Sequence, residues 1–322
     1  MPKNPVTVFF IFEYPIQDPI ETIKRGLSQA LVHYYPIAGR LAAGAAAGEF
    51  VIRCTGEGVS FVAASANCAI KDVREFCDSS LQEELAVLYA DEGFSYSEPL
   101  MLMQVTVFSC GGFVIGVTLN HSVCDGIGMA QFMQAMGELA RGLPSPSVIP
   151  VSCRSSVAVP NPCNMSDPAA LAVLTFPANA RKHAVAREGF YGNCVTAQLV
   201  TATSGAVTNG DLMELVKMIQ HAKDRVPGQT EIDEMRQLDG YNLFLMSCWR
   251  NLGMEEIDFG FGPPARLMEY TQVRTKLPSC VPCKDEYNVQ SLCVKEEHAN
   301  AFLQELAKIH LTYNPLSVSS KL

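Results

Sequence analysis

The sequence predicts an α/β fold with mixed sheets, and three observations carry that prediction. Short runs rich in β-branched and aromatic residues recur, such as "VTVFFIFEY" (6–14) and "GFVIGVTLN" (112–120). Between them lie stretches whose apolar residues return every three or four positions, the helical period. The two kinds of segment do not alternate strictly as strand, helix and strand, which argues for mixed rather than wholly parallel sheets.

Taken in order, "VTVFFIFEY" reads as a buried strand. A helix follows over "DPIETIKRGLSQALVHYYP", with Asp18 as a cap, Pro19 in the first turn, and Ile20, Ile23, Leu27, Ala30 and Leu31 on one face. Pro36 ends it, and "IAGRL" leads through a Gly/Ala-rich turn into the strand "EFVIRC" (49–54). "LMLMQVTVFSC" (100–110) and "GFVIGVTLN" meet at Gly111 and Gly112 as a hairpin. The stretch after Gly126 carries Met129, Phe132, Met133, Met136 and Leu139 at helical spacing, a core stripe.

From residue 143 to 170 proline, serine and asparagine dominate and periodicity is lost, so we read a linker between an N-terminal domain (1–142) and a C-terminal one (171–322). The second half opens with the strands "LAVLTFPAN" and "NCVTAQLVTATSG", followed by a helix within 208–226. A strand and turn over 242–253 come next, and a last amphipathic helix spans 295–309.

Hydrophobic residues make up 48% of the chain and charged residues 18%, enough to build a sizeable core and to exclude wholesale disorder. The net charge of −9 and the lack of a basic stripe argue against nucleic acid and against broad membrane-surface binding. The N-terminal residues carry no basic start with an apolar signal core, and no apolar run reaches membrane-spanning length. With twelve scattered cysteines read as reduced thiols, the expectation is a soluble, cytoplasmic protein; a monomer is expected separately, not from composition. Cys280 and Cys283 form a lone CxxC; Cys293 and His298 make only a thin second pair, so no metal site is expected.

Chemistry concentrates in "NHSVCDGIG" (120–128). His121 ends a strand just before a glycine turn, where an imidazole can face a cleft, and its pKa near neutrality suits a general base. Asp125, four residues on, can reach back to the loop backbone or outward to a cation, and either would fix the loop. Alone, HxxxD is a weak pattern that an ordinary turn also satisfies.

Further stretches stand beside it: "ALVHYYPIAGRL" (30–41), "ANAR" (178–181), "EGFYGN" (188–193) and "SCWRNLGMEEIDFGFGPP" (247–264). Together with HxxxD in the first half and "DFGFG" in the second, they resemble the BAHD family of plant acyl-CoA-dependent acyltransferases along nearly the whole chain. The resemblance implies two chloramphenicol-acetyltransferase-like domains, each a mixed sheet flanked by helices, with the active site in a channel between them. It implies acyl-CoA as co-substrate, no permanently bound cofactor, and a small alcohol or amine as acceptor. His121 would be the general base of a direct transfer without an acyl-enzyme, with Ser247 and Trp249 bordering the reacting centre. Asp125 would pair with Arg181 as a structural clamp. Asp258, Gly260 and Gly262 would shape the second domain, and Gly192 and Asn193 would lie near the CoA end.

The chain departs from that pattern in three places. Phe261 replaces the tryptophan of DFGWG, and Cys248 stands where close relatives often carry aspartate. It is also shorter than family members, without the usual first strand and without a long helical stretch before "LTFPANAR". The alternative is therefore a shortened, catalytically impaired relative or incomplete gene model that acts at most as a binding protein. A carrier-protein-dependent condensation enzyme would show HHxxxDG, and Asn120 breaks that motif.

Overall fold

A computed structural model describes residues 5–45, 49–73, 79–90, 96–151, 171–182, 186–203, 206–207, 211–223, 243–249, 251–270, 279–283, 286–290, 300–301 and 304. The stretch 152–170, Cys293, His298 and nearly all of the expected helix over 295–309 lie outside the described residues.

The first half is built on β1 (Pro5–Phe12), β4 (Ser60–Ala66), β5 (Met101–Phe108) and β6 (Phe113–Asn120). β1 runs antiparallel to β6 from Pro5↔Asn120 to Phe12↔Phe113, and β5 and β6 form the expected hairpin. β4 joins the edge in parallel with β5. One sheet face, with Val8, Phe10, Ile115 and Val117, packs against α1 (Pro19–His33) and α3 (Gly126–Ala140). The other face, with Phe9, Ile11 and Val114, packs on Ile70, Leu85 and Ala86 beside the short α2 (Ser79–Glu84). Burial on both faces is why β1 reads as an unbroken apolar run rather than an alternating one. At the Phe12 end the aromatic rings stack: Phe12 lies 4.7 Å from Phe113 and 5.6 Å edge-on from Phe259.

α1 and α3 approach closely because Gly26 has no side chain; a Cβ there would sit 2.5 Å from the Met136 carbonyl oxygen. Asp18 precedes α1 as expected, but its side chain makes no cap bond. Its backbone is left-handed (φ 43°), not the extended conformation from which a cap side chain folds over the first N–H groups. Pro19, which lacks an N–H, and Thr22, which donates its amide to the Asp18 carbonyl, serve this terminus instead.

A small hairpin, β2 (Arg40–Ala43) with β3 (Phe50–Arg53), follows α1. In the second half β7 (Leu171–Asn179) lies between β8 (Val195–Thr203) and β9 (Leu243–Leu245), covered by α4 (Leu212–Lys223) through Phe176, Val200 and Ala222. β10 (Ser247–Cys248) pairs with β12 (Ser279–Cys283), which pairs with β13 (Glu286–Gln290). One strand crosses the boundary drawn from the sequence. β11 (Arg266–Tyr270) runs antiparallel to β1 and completes a five-stranded sheet in the order β11-β1-β6-β5-β4. Its apolar Leu267 and Met268 fill both faces of that sheet, and local pattern says nothing about a partner more than 250 residues away.

Candidate active site

The loop after β6 is built by its own backbone. Asn120 donates its amide to the Leu100 carbonyl at 3.0 Å, its side-chain oxygen accepts the Ser122 amide at 3.0 Å, and its carbonyl accepts the Val123 amide at 2.9 Å. His121 sits at the head of this turn, half-buried. Asp125 then caps α3 from extended backbone, its Oδ1 accepting the Gly128 amide at 2.9 Å. The same carboxylate takes two bonds from the Arg181 guanidinium, both at 2.8 Å, and one from the Cys194 amide at 2.8 Å. Both routes open to Asp125 in the sequence, backbone and cation, are used at once.

Arg181 reaches further. Its guanidinium donates to the Gly192 carbonyl at 2.9 Å and to the Phe190 carbonyl at 3.3 Å, and lies 5.9 Å from the Phe190 ring. Asn193 donates its side-chain amide to the His121 carbonyl at 2.7 Å. The segment 189–194 is thus strapped across the HxxxD loop. Gly128 permits this: a Cβ there would lie 1.7 Å from the Tyr191 carbonyl oxygen. Tyr191 packs edge-on against Tyr34, 5.0 Å between centroids, and Gln131 ties the Gly189 carbonyl to the Tyr34 hydroxyl.

The structure therefore brings together His121, Asp125, Arg181, Gly192 and Asn193. Gly192 and Asn193, expected near CoA, are engaged with the His121 and Asp125 loop. Ser247 and Trp249 meet each other: the indole N–H donates to the Ser247 hydroxyl at 3.2 Å, and the Trp249 amide donates to the Cys280 carbonyl at 2.9 Å. Trp249 also packs into the main core with Val123 and Cys124.

Asp258, Gly260 and Gly262 sit elsewhere. Arg141 at the end of α3 donates to the Asp258 carbonyl and pairs with its carboxylate at 3.5 Å. α3 has 15 residues, so this turn lies about 20 Å from Asp125 along the helix. Asp258 Oδ1 accepts the amides of Gly260 and Gly262, both at 2.7 Å, and both glycines have positive φ (131° and 96°), which only glycine adopts readily.

Sequence reasoning missed Cys194, Gly128, Tyr34, Gln131 and Tyr191. Only adjacency signalled them, since Cys194 follows "FYGN" and Gly128 follows HxxxD. Burial raises the Cys194 thiol above its usual range, with Arg181 lowering it and Asp125 raising it, so it stays protonated at neutral pH. Cys280 lies on β12, and among the described residues no three His, Cys, Asp or Glu side chains gather where a metal could bind.

A model of the Transferase family matches residues 4–186. Acyl transferase 15 of Oryza sativa subsp. japonica is 37% identical over 395 aligned residues, covering 96% of this chain and 91% of that one. The chain belongs to the BAHD family of plant acyl-CoA-dependent acyltransferases. Its relatives are named as acyltransferases, and it is short beside them: the alignment with the rice relative is longer than its own 322 residues. A second relative, from Nicotiana tabacum and named benzyl alcohol O-benzoyltransferase, is 40% identical over 148 residues, 45% of this chain and 32% of that one. Among solved structures, vinorine synthase shares the BAHD fold with a TM-score of 0.70 at 17% identity, over 89% of this chain and 85% of that one. Among the described residues no helix is long and apolar enough to cross a membrane.

Proposed function

We propose that the chain moves an acyl group from a CoA thioester to the hydroxyl of a small plant metabolite, with His121 as the general base. The observation that carries this reading is the allocation of the Asp125 carboxylate. Its four hydrogen bonds go to Gly128, Cys194 and twice to Arg181, so it fixes the loop and His121 acts alone on a rigid turn.

His121 accepts the acceptor's hydroxyl proton as the oxygen attacks the thioester carbonyl. The new C–O bond forms and the carbonyl becomes an oxyanion. Collapse of this tetrahedral intermediate breaks the C–S bond, and the imidazolium returns its proton to the departing CoA thiolate. The Ser247 hydroxyl accepts the Trp249 indole N–H, which leaves its own hydrogen to donate to the oxyanion. Cys124 is buried, which fits direct transfer rather than an acyl-cysteine. The tobacco relative's name supports a benzoyl donor and a benzylic alcohol as first substrates to try. The reading includes a cytoplasmic monomer that needs no resident cofactor, and size-exclusion with light scattering checks the oligomeric state.

The test is release of free CoA from benzoyl-CoA and a panel of acyl-CoAs with benzyl alcohol and an extract of plant alcohols. Turnover that persists in Cys124→Ala and disappears in His121→Ala supports the reading. The chain's shortness against its relatives favours a second reading, a binding protein without turnover. Folded protein that binds CoA but releases none from any donor establishes that second reading.

A further inference from the structure

One groove of about 370 Å³ has no part in the acyl-transfer site. It opens over the stacked phenylalanines at the Phe12 and Phe113 end of β1 and β6, whereas His121 follows the opposite end of β6. Eight strand residues separate the two by about 23 Å.

The rim is aromatic and exposed. Phe261 of the DFGFG turn is 70% exposed and Tyr14 is 66% exposed. An exposed ring is ordinarily unremarkable, but Phe261 is held out by a turn that Asp258 and two positive-φ glycines lock. Charge favours a cation: the lining residues include two acids, Glu13 and Glu255, against one arginine, Arg266. Moreover, Glu255 Oε2 is withdrawn from solvent with no hydrogen-bond partner among the described residues. A buried carboxylate oxygen without a donor is costly, and a neighbouring ammonium supplies the missing counter-charge.

We propose that this groove binds a small organic ammonium ion, its charge at Glu255 and its apolar body between Phe261 and Tyr14. Its volume matches small-molecule sites, and aromatic rings beside a carboxylate are the chemistry that selects alkylammonium groups over neutral analogues. The site is separate from acyl transfer and does not depend on it.

Calorimetric titration of the whole chain with phenethylammonium, phenethyl alcohol and phenylacetate tests the proposal. Phenethylammonium binds saturably, at least about tenfold tighter than the alcohol, and phenylacetate binds weakest. Glu255→Gln, which preserves shape, and Phe261→Ala each weaken phenethylammonium about tenfold, while CoA release by Glu255→Gln stays within about twofold of the parent. Equal binding of alcohol and ammonium overturns the proposal. So does binding that persists in both variants, since the amine then sits elsewhere, and so does folded protein that binds no phenethylammonium. The titration reads binding alone, so its failure leaves the acyltransferase reading untouched.

Discussion

At Asp125 two amides and a bidentate guanidinium converge on one carboxylate that is 2% exposed, facing an arginine side chain 16% exposed. Removing one partner of such a pair strands the other, so Asp125→Asn lowers unfolding free energy by about 3–5 kcal/mol in urea titrations. Unchanged stability contradicts the clamp. Asn193 separates two roles kinetically. Holding the His121 carbonyl predicts that Asn193→Ala lowers kcat about tenfold with donor KM unchanged, as for one charge-free hydrogen bond that orients a base. A raised donor KM with intact kcat assigns Asn193 to CoA instead. Burial lifts the Tyr34 hydroxyl to about 12, with Glu138 and Cys124 adding and the Gln131 bond opposing, and burial lifts Tyr89 further still. Both tyrosines ionise near pH 10 when unfolded, so the folded state, which holds these protons more tightly, is fully stable below about pH 10 and loses stability toward pH 12. Tyr34→Phe flattens part of that alkaline decline; an unaltered profile contradicts the burial account.

Among the elements, the N-terminus of α3 decides how the strap lies. Replacing a helical glycine with alanine ordinarily gains about 1 kcal/mol. At Gly128 the new methyl would meet the Tyr191 carbonyl at 1.7 Å, so overpacking wins and Gly128→Ala destabilises by about 3 kcal/mol or more. A neutral or stabilised variant contradicts the close approach. The elements most legible in the sequence were those whose partner is nearby: β5 and β6 around Gly111 and Gly112, and the amphipathic α1 and α3. β4 was not read because "SFVAASA" is short and small at the sheet edge. β11 was not read at all, because its pairing with β1 is a long-range event that local pattern does not signal. Asp18 shows a cap residue defeated by its own φ.

Across the whole molecule, the site was legible only in part from residue chemistry. His121 and Asp125 stood out by spacing, but HxxxD alone is a pattern that an ordinary turn also satisfies. The partnership of Asp125 with Arg181 came from resemblance, because no local pattern links residues 56 positions apart. The strap over 189–194 was invisible as a device, since it rests on carbonyls of Phe190, Gly192 and His121, which any sequence supplies. The structure assembles these parts across the two halves despite the chain's length, and the central claim is that HxxxD is divided into a base and an anchor. Turnover of benzoyl-CoA with benzyl alcohol by His121→Ala, relative to the parent protein at equal melting temperature, tests that claim most directly. A fall of about a hundredfold to ten-thousandfold in kcat is the predicted result. Turnover that survives in a folded His121→Ala protein would contradict it.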